Sequence, residues 1–202
     1  SVSLDILSEE TQQGPPKRLL HLGVALTKGT RIDWVIEKAV ELGVMRISPL
    51  ITRRVVVKPR DSRTGHQQKR WGEIAKEAAQ QSERWEIPKI DLPMTLDAFL
   101  EQTQSSYFKF IFWEKELSDA SLHKQFEPVQ GEGQTHRSAP TGVSLLIGPE
   151  GGWEQEEVDR AGEMGYISIS LGDRPLRADT AAITALSIIQ YEWDRLNRKG
   201  LR

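Results

Sequence analysis

Apolar runs alternate with amphipathic segments along the chain, and this alternation restricts the fold more than any other feature of its 202 residues. The run LLHLGVAL at residues 19–26 is typical of a buried strand. It is followed at residues 30–43 by TRIDWVIEKAVELG, whose apolar residues recur on one face of a helix. Strands that alternate with helices indicate a sheet covered by helices on both faces. We therefore predict an α/β fold with a mostly parallel sheet.

The same patterns predict the remaining elements. Further strands are predicted in MRISPLIT and RRVVV (residues 45–57), PKIDLP (88–93), YFKFIFW (107–113), VSLLIG (143–148) and YISISLG (166–172). Further helices are predicted at residues 65–85, at Trp153–Met164 and at Asp179–Asn197. At the start of the first helix, Thr30 and Asp33 resemble a capping box, and Gly43 supplies the stop. A polar loop is predicted at residues 127–142.

The N-terminal residues follow a different pattern. Residues 2–7, VSLDIL, alternate like a half-buried strand, and SEETQQGPPKR reads as a linker. A strand is not stable in isolation, so we expect this one to be the last strand of a preceding domain. The sequence thus predicts a domain remnant with its linker at residues 1–16 and an α/β domain at residues 17–202.

Composition excludes several classes of protein. The chain has no cysteine, which rules out disulfides, thiolate metal ligands and thiol catalysis, and its four histidines have no metal-ligand spacing. No apolar run has the length of a membrane span, and no signal pattern opens the chain. We expect a soluble cytoplasmic protein without metal. A formal net charge of -2 leaves nucleic-acid binding to a local basic patch.

Three predicted strands end in unusual sequence. FIFW runs into Glu114, LLIG runs into the turn Pro149–Gly152, and ISLG runs into DRPLRADTAA at residues 173–182. Ligands of parallel sheets bind outside the carboxyl ends of the strands, so three such loops predict a composite pocket. A single glycine-rich loop is most often only the end of a strand. Three together favour a site.

The turn after LLIG disfavours phosphate. A phosphate-binding loop needs a lysine and a hydroxyl residue after its glycines, but Trp153 and Glu154 follow here. The acidic residues Glu154, Glu156 and Glu157 complement the helix dipole where a phosphate would otherwise bind. The pocket therefore favours a cofactor that is held by backbone groups and apolar side chains.

Two of these segments resemble a known family. LLIGPEGGWEQEEV (residues 145–158) followed by LGDRPLRADTAAITAL (residues 171–186) closely resembles the paired signature of the small-subunit ribosomal RNA uridine-N3 methyltransferases, which belong to the trefoil-knot (SPOUT) class. Residues 31–54 and 70–84 are also similar to segments of that family, and the resemblance covers residues 19–197. Pro175 stands where the family more often has an aliphatic residue, and Asp179 stands where it more often has glutamate.

The resemblance implies S-adenosylmethionine as cofactor, a C-terminal trefoil knot and a homodimer formed through the knot region. It also implies a preceding small β-barrel of the PUA type, with residues 2–7 as its last strand. The cofactor would contact the ends of the three loops: Phe112, Trp113, Glu114, Leu146, Ile147, Gly148, Pro149, Glu150, Gly151, Gly152, Leu171, Gly172, Leu176, Arg177, Thr180 and Ala181. For catalysis, either Asp179 or Glu150 would be the base, and Arg177 would orient the uracil or stabilise its enolate.

A basic segment could contact RNA. The cationic residues in question are Arg53, Arg54, Lys58, Arg60, Arg63, Arg70 and Arg84. Such a cluster usually forms a solvated surface, but the family resemblance favours phosphate contacts. The substrate would be small-subunit ribosomal RNA, free or in the assembled subunit.

Three alternatives remain open. The chain could methylate another ribosomal or transfer RNA nucleotide, or it could be a non-catalytic RNA-binding assembly factor. The intact GPEGG turn and the LRADTA stretch argue against the second of these. A nucleotide-binding module is least supported, because GEG at residues 131–133 lies in a loop and does not follow a strand.

Overall fold

The computed structural model describes residues 19–55, 61–106, 108–115 and 142–199. Within these ranges seven strands form one sheet: β1 Leu19–Ala25, β2 Arg46–Ile51, β3 Lys89–Ile90, β4 Met94–Thr95, β5 Phe108–Phe112, β6 Gly142–Ile147 and β7 Ile167–Ile169. The helices of the same ranges are α1 Arg31–Glu41, α2 Asp61–Gln81, α3 Leu96–Gln102, α4 Gln155–Glu163 and α5 Ala178–Lys199. The predicted remnant at residues 1–16 lies outside the described residues.

The sheet is parallel throughout its described pairs. Its strand order is β3-β2-β1-β6-β5-β7, and β4 pairs with β2 farther along the same edge. All carboxyl ends therefore lie at one end of the sheet, with β6, β5 and β7 as neighbours. The predicted α/β fold with a parallel sheet is confirmed.

Helices cover both faces of the sheet, and the residues of β6 show how. Leu145 and Ile147 belong to a core cluster that includes buried residues of α1, α2 and α5. Leu146, which points to the opposite face, belongs to a second cluster with residues of α3 and α4. Strands buried on both faces have near-continuous apolar sequences, which explains the runs that mark β1, β5 and β6.

Two local predictions are wrong. RRVVV was expected to continue as a strand, but Arg53 and Arg54 form a turn, and residues 56 and 57 lie outside the described residues. Thr30 makes no capping hydrogen bond, so the expected capping box with Asp33 is absent. The Asp33 carboxylate instead accepts a hydrogen bond from Trp71 Nε1 at 3.1 Å and pairs with Arg70, both on α2.

Other boundaries differ only in extent. Helix α2 begins at Asp61 rather than residue 65 and ends at Gln81. The short elements β4 and α3 have no counterpart in the prediction, because seven residues are too few for a helical period to stand out. Among the described residues, no helix combines the length and apolar character needed to cross a membrane.

Candidate cofactor site at the carboxyl edge of the sheet

The three unusual loops lie side by side. They follow β5, β6 and β7, which are adjacent parallel strands, so the loops emerge at the same edge. The backbone N–H of Trp113 donates to the carbonyl oxygen of Ile169 at 3.0 Å, which ties the loop after β5 to the end of β7. The structure therefore brings together the three segments that the sequence singled out.

The loop after β6, residues 148–154, which we call the GPEGG loop, is packed from within the protein. A Cβ on Gly148 would lie 3.0 Å from Nε1 of Trp153, and one on Gly152 would lie 2.3 Å from Oε1 of Glu114. Gly152 also has a φ of 71°, a conformation that favours glycine. The packing of the protein itself therefore favours glycine at both positions, since Trp153 and Glu114 fill the space beside them.

Two tryptophans flank this loop. Trp153 is fully buried, and its Nε1 donates to the carbonyl oxygen of Phe112 at 3.0 Å, which joins the GPEGG loop to the end of β5. Trp113 is partly buried against the core cluster of α3 and α4, and its Nε1 is buried without a hydrogen-bond partner. Trp113 thus offers an unsatisfied donor at this edge of the sheet.

The carboxylate of Glu150 is bound by the loop after β1 and by the first residue of α1. Its Oε1 accepts hydrogen bonds from Arg31 at 3.0 Å and from the backbone N–H of Lys28 at 3.3 Å. Neither Lys28 nor Arg31 was among the predicted site residues. These pairings join positions more than a hundred residues apart, so no local sequence signal could have revealed them.

The loop after β7 is open. Leu171 is partly buried against the core, whereas Leu176 is 39% exposed and Arg177 is exposed. Gly172 has a φ of 118°, and a Cβ there would meet no atom within 4 Å. This loop therefore has an accessible backbone and an apolar side chain facing solvent.

The remaining predicted residues lie at the start of α5. Asp179 Oδ1 accepts a hydrogen bond from the backbone N–H of Thr180 at 2.9 Å, and Thr180 is exposed. Ala181 packs partly against the core, and its N–H donates to the carbonyl oxygen of Arg177 at 2.8 Å. The two candidate bases thus have different surroundings. Glu150 forms an ion pair with Arg31, whereas the hydrogen bond described for Asp179 comes from a backbone N–H of its own helix.

The predicted RNA-binding arginines make intramolecular contacts where they are described. Arg53 pairs with Glu156, and Arg70 pairs with Asp33. Arg84 donates to the carbonyl oxygens of Val40 and Val44 at 2.7 and 2.8 Å, where it caps the C-terminal end of α1. Burial lowers the pKa of the Arg84 guanidinium. Lys58 and Arg60 lie outside the described residues, and of Arg63 only the helical backbone is described.

Arg54 contacts the GPEGG loop itself. Its Nε and Nη2 donate to the two carboxylate oxygens of Glu154 at 2.6 and 2.9 Å, and its Nη1 donates to the carbonyl oxygen of Gly151 at 2.8 Å. A cavity of about 480 Å³ lies beside this turn, between the end of β2, α3 and α4, and Arg53 and Glu157 are among its lining residues. The cavity contains none of the predicted cofactor residues.

Comparison with known proteins identifies the family of this chain. Residues 15–190 match the family described as RNA methyltransferase domain. The chain is 35% identical over 193 residues to the ribosomal RNA small subunit methyltransferase E of Bacillus subtilis, which covers 94% of the chain and 71% of the relative. The chain belongs to the ribosomal RNA small subunit methyltransferase E family. The family resemblance stated from the sequence is confirmed.

Solved structures of the family have the same fold. A methyltransferase from Legionella pneumophila in complex with S-adenosylmethionine is 36% identical, with a TM-score of 0.74 over 87% of this chain and 66% of that chain. The ribosomal RNA small subunit methyltransferase E of Neisseria gonorrhoeae, bound to S-adenosylmethionine, is 29% identical, with a TM-score of 0.73 over 93% of this chain and 71% of that chain. Family members of known structure therefore bind this cofactor.

Proposed function

We propose that this protein transfers a methyl group from S-adenosylmethionine to N3 of a uridine in small-subunit ribosomal RNA. One observation carries the proposal: in a member of this family, the loops after β5, β6 and β7 lie side by side at the carboxyl edge of the sheet, where parallel sheets bind ligands. Relatives named for small-subunit ribosomal RNA methylation support the choice of substrate. The S-adenosylmethionine complexes from Legionella and Neisseria support the choice of cofactor.

The residues at this edge fit such a cofactor. An unsatisfied indole N–H on Trp113 is available to an acceptor, and the open backbone at Gly172 can contact an adenine or a ribose. Leu176 offers apolar surface, and Glu114 lies against the GPEGG loop, where a carboxylate suits the positive charges of S-adenosylmethionine. The remaining cofactor residues are those predicted above at the ends of β5, β6 and β7. When bound there, S-adenosylmethionine supplies the methyl group.

The protein must remove the N3 proton and hold the uracil for attack. Asp179 is the better candidate for the base, because Glu150 is committed to Arg31 and Lys28 and therefore serves to shape the pocket. Arg177, exposed two residues before Asp179, is the candidate to stabilise the negative charge that develops on the uracil oxygens. In this scheme the proton passes from N3 to an Asp179 carboxylate oxygen.

The finer features of the family complete the proposal. We place a trefoil knot in the C-terminal segment and a homodimer across it. Tyr191 on α5 is 69% exposed and Leu176 is 39% exposed, which leaves apolar surface for a second copy. The buried residues of α5, such as Ala185 and Trp193, pack on the sheet within the chain and do not themselves argue for a dimer.

The same proposal includes the RNA-binding surface and the cellular location of the protein. Phosphates of ribosomal RNA would meet the basic segment around Arg53 and the first turns of α2, in the cytoplasm. Arg54 and Arg84 donate to backbone carbonyl oxygens within the protein, whereas Arg53 and Arg70 form exposed ion pairs, so Arg54 and Arg84 contribute to such a surface less directly. The 1–16 segment would be the end of a PUA-type domain.

Calorimetry with S-adenosylmethionine and, separately, with ATP tests the cofactor first. We expect saturable binding of S-adenosylmethionine, one molecule per chain, and no binding of ATP. A folded protein that binds neither would point to a non-catalytic RNA-binding factor on the same fold.

Methyl transfer to small subunits and to naked ribosomal RNA tests the reaction. Asp179→Asn should lower kcat about a hundredfold or more and leave the Kd for S-adenosylmethionine nearly unchanged, as expected for loss of a general base. Glu150→Gln should affect mainly the cofactor Kd. Near-normal turnover of both variants would exclude both carboxylates as the base. Methylation at a nucleotide other than uridine N3, identified by mass spectrometry, would refute the proposed target.

A further inference from the structure

Arg54 lies in the turn after β2 and reaches across the end of β1 to the loop after β6. Three of its donors are used there, two on the carboxylate of Glu154 and one on the carbonyl oxygen of Gly151. The parallel fork on Glu154 is the bidentate geometry that distinguishes arginine from lysine. The two backbones are also close, because a Cβ on Gly151 would lie 3.2 Å from Cβ of Arg54.

The electrostatics of Arg54 agree with an internal role. The hydrogen bonds and charge of Glu154 raise the pKa of Arg54, and the nearby carboxylates of Glu114 and Glu157 raise it further. In return, Arg54 lowers the pKa of Glu154. A phosphate that approached this guanidinium would find three of its five donors used and would enter the field of the Glu154, Glu114 and Glu157 carboxylates. The surroundings of Arg54 therefore disfavour an RNA phosphate.

The loop is braced from two sides. On one side Arg31 and the Lys28 N–H hold the carboxylate of Glu150, and on the other side Arg54 holds the carbonyl oxygen of Gly151. Two consecutive residues of the loop are thus held by arginines from elsewhere in the fold, Glu150 through its carboxylate and Gly151 through its carbonyl oxygen. Loop residues held in this way lose little conformational freedom when a ligand binds.

We propose that Arg54 is a positioning residue for the cofactor: through Gly151 and Glu154 it holds the GPEGG loop in the conformation that binds S-adenosylmethionine, and it does not serve as an RNA-phosphate contact. The inference rests on the proposed function, since it assumes that this loop binds S-adenosylmethionine. It replaces the RNA-binding role that the sequence suggested for Arg54.

Calorimetry without RNA tests the proposal on the full chain. We would compare wild type with Arg54→Gln, Arg54→Lys and the control Arg160→Gln. Arg160 also forms ion pairs with two carboxylates, Asp97 and Glu163, but makes no described contact with the loop. Arg54→Gln should weaken S-adenosylmethionine binding about tenfold, the effect expected when a charged hydrogen-bond donor is lost from a loop. The affinity of Arg54→Lys for S-adenosylmethionine should lie between those of wild type and Arg54→Gln. The affinity of the control should stay within about twofold of wild type.

Kinetics separate positioning from RNA contact. With Arg54→Gln we expect the KM for S-adenosylmethionine to rise while the KM for ribosomal RNA and the salt dependence of RNA binding stay as in wild type. A variant with wild-type cofactor affinity but weaker RNA binding and a shallower salt slope would overturn the proposal. If Arg54→Gln does not fold, Arg54→Lys decides the question by the same two measurements. Wild-type protein that fails to bind S-adenosylmethionine would refute the proposed function and not this inference alone.

Discussion

The buried imidazole of His21 makes the stability of the fold depend on pH in a defined way. Its Nε2 lies 2.8 Å from Oγ of Ser48, and Ser48 donates its single hydroxyl proton to Asp91 Oδ2 at 2.6 Å. Because that proton is committed, His21 donates from Nε2 to Ser48. The Asp91 carboxylate is held in turn by Arg46 at 2.7 and 3.0 Å. The attraction of Asp91 for a charged imidazole at His21 is therefore opposed by Arg46.

Burial is the main reason that the pKa of His21 falls from 6.5 to about 4, and repulsion by Arg46 adds to it against the attraction of Asp91. Between these two values the unfolded chain binds more protons than the folded chain, so the free energy of unfolding decreases as the pH falls. The difference of about 2.5 between the pKa values corresponds to about 3 kcal/mol in total. About 2 kcal/mol of this is lost by about pH 5, and the loss is complete below about pH 4.

Urea denaturation near pH 7, 6 and 5 measures the effect, with His21→Gln as the matched control. Glutamine can still donate to Ser48, but it does not titrate. Wild type should lose about 2 kcal/mol more than the variant between pH 7 and pH 5, since the other ionisable groups are common to both. Equal pH dependence in the two proteins would refute the argument, because it would mean that His21 is charged, or freely charges, in the fold.

Three further substitutions have expected outcomes. Arg84→Ala should lower the free energy of unfolding by about 1–3 kcal/mol, because two carbonyl oxygens at the end of α1 lose a charged donor. Unchanged urea denaturation would contradict this structural role and leave RNA contact as the role of Arg84. Trp153→Phe should cost about 1–3 kcal/mol in the same assay, since the carbonyl oxygen of Phe112 loses its donor; a neutral effect would mean that water replaces the indole. Gly152→Ala should add about 1–2 kcal/mol of backbone strain and displace Glu114, and calorimetry should detect weaker S-adenosylmethionine binding. Wild-type affinity would show that the loop tolerates both changes.

Helices and strands that have a clear apolar pattern within their own residues could be predicted from the sequence. The face of α1 that carries Ile32, Val35 and Ile36 is buried as its period indicates, and the apolar run of β6 is buried on both sides. The strand predicted in RRVVV is wrong at Arg53 and Arg54, which form a turn directly after β2. At Asp33 the spacing suited a capping box, but Trp71, 38 residues away, uses the carboxylate instead.

The position of the candidate site could also be predicted, because loops at the carboxyl ends of adjacent parallel strands must meet. Its internal contacts could not. The arginine partners of Glu150 and Glu154 in the GPEGG loop lie 119 and 100 residues away in the sequence. The sequence alone does not indicate which distant charged residue will form an ion pair with a given carboxylate. For this reason Arg54 was grouped with its neighbour Arg53 as an RNA contact, although the structure directs the two side chains to different carboxylates.

The conformation of the GPEGG loop depends on contacts with several neighbouring segments at the carboxyl edge of the sheet. Trp153 connects it to the end of β5, while Arg31 and Arg54 connect it to the start of α1 and to the turn after β2. A loop restrained at so many points approaches its binding conformation before a ligand arrives, so less of the binding free energy is lost in ordering it. Loss of either arginine contact should then weaken cofactor binding more than it weakens the fold, because the core beneath the loop keeps its packing. The contacts of Arg31 and Arg54 are therefore best detected as lost cofactor affinity in a protein whose thermal unfolding without cofactor is little changed.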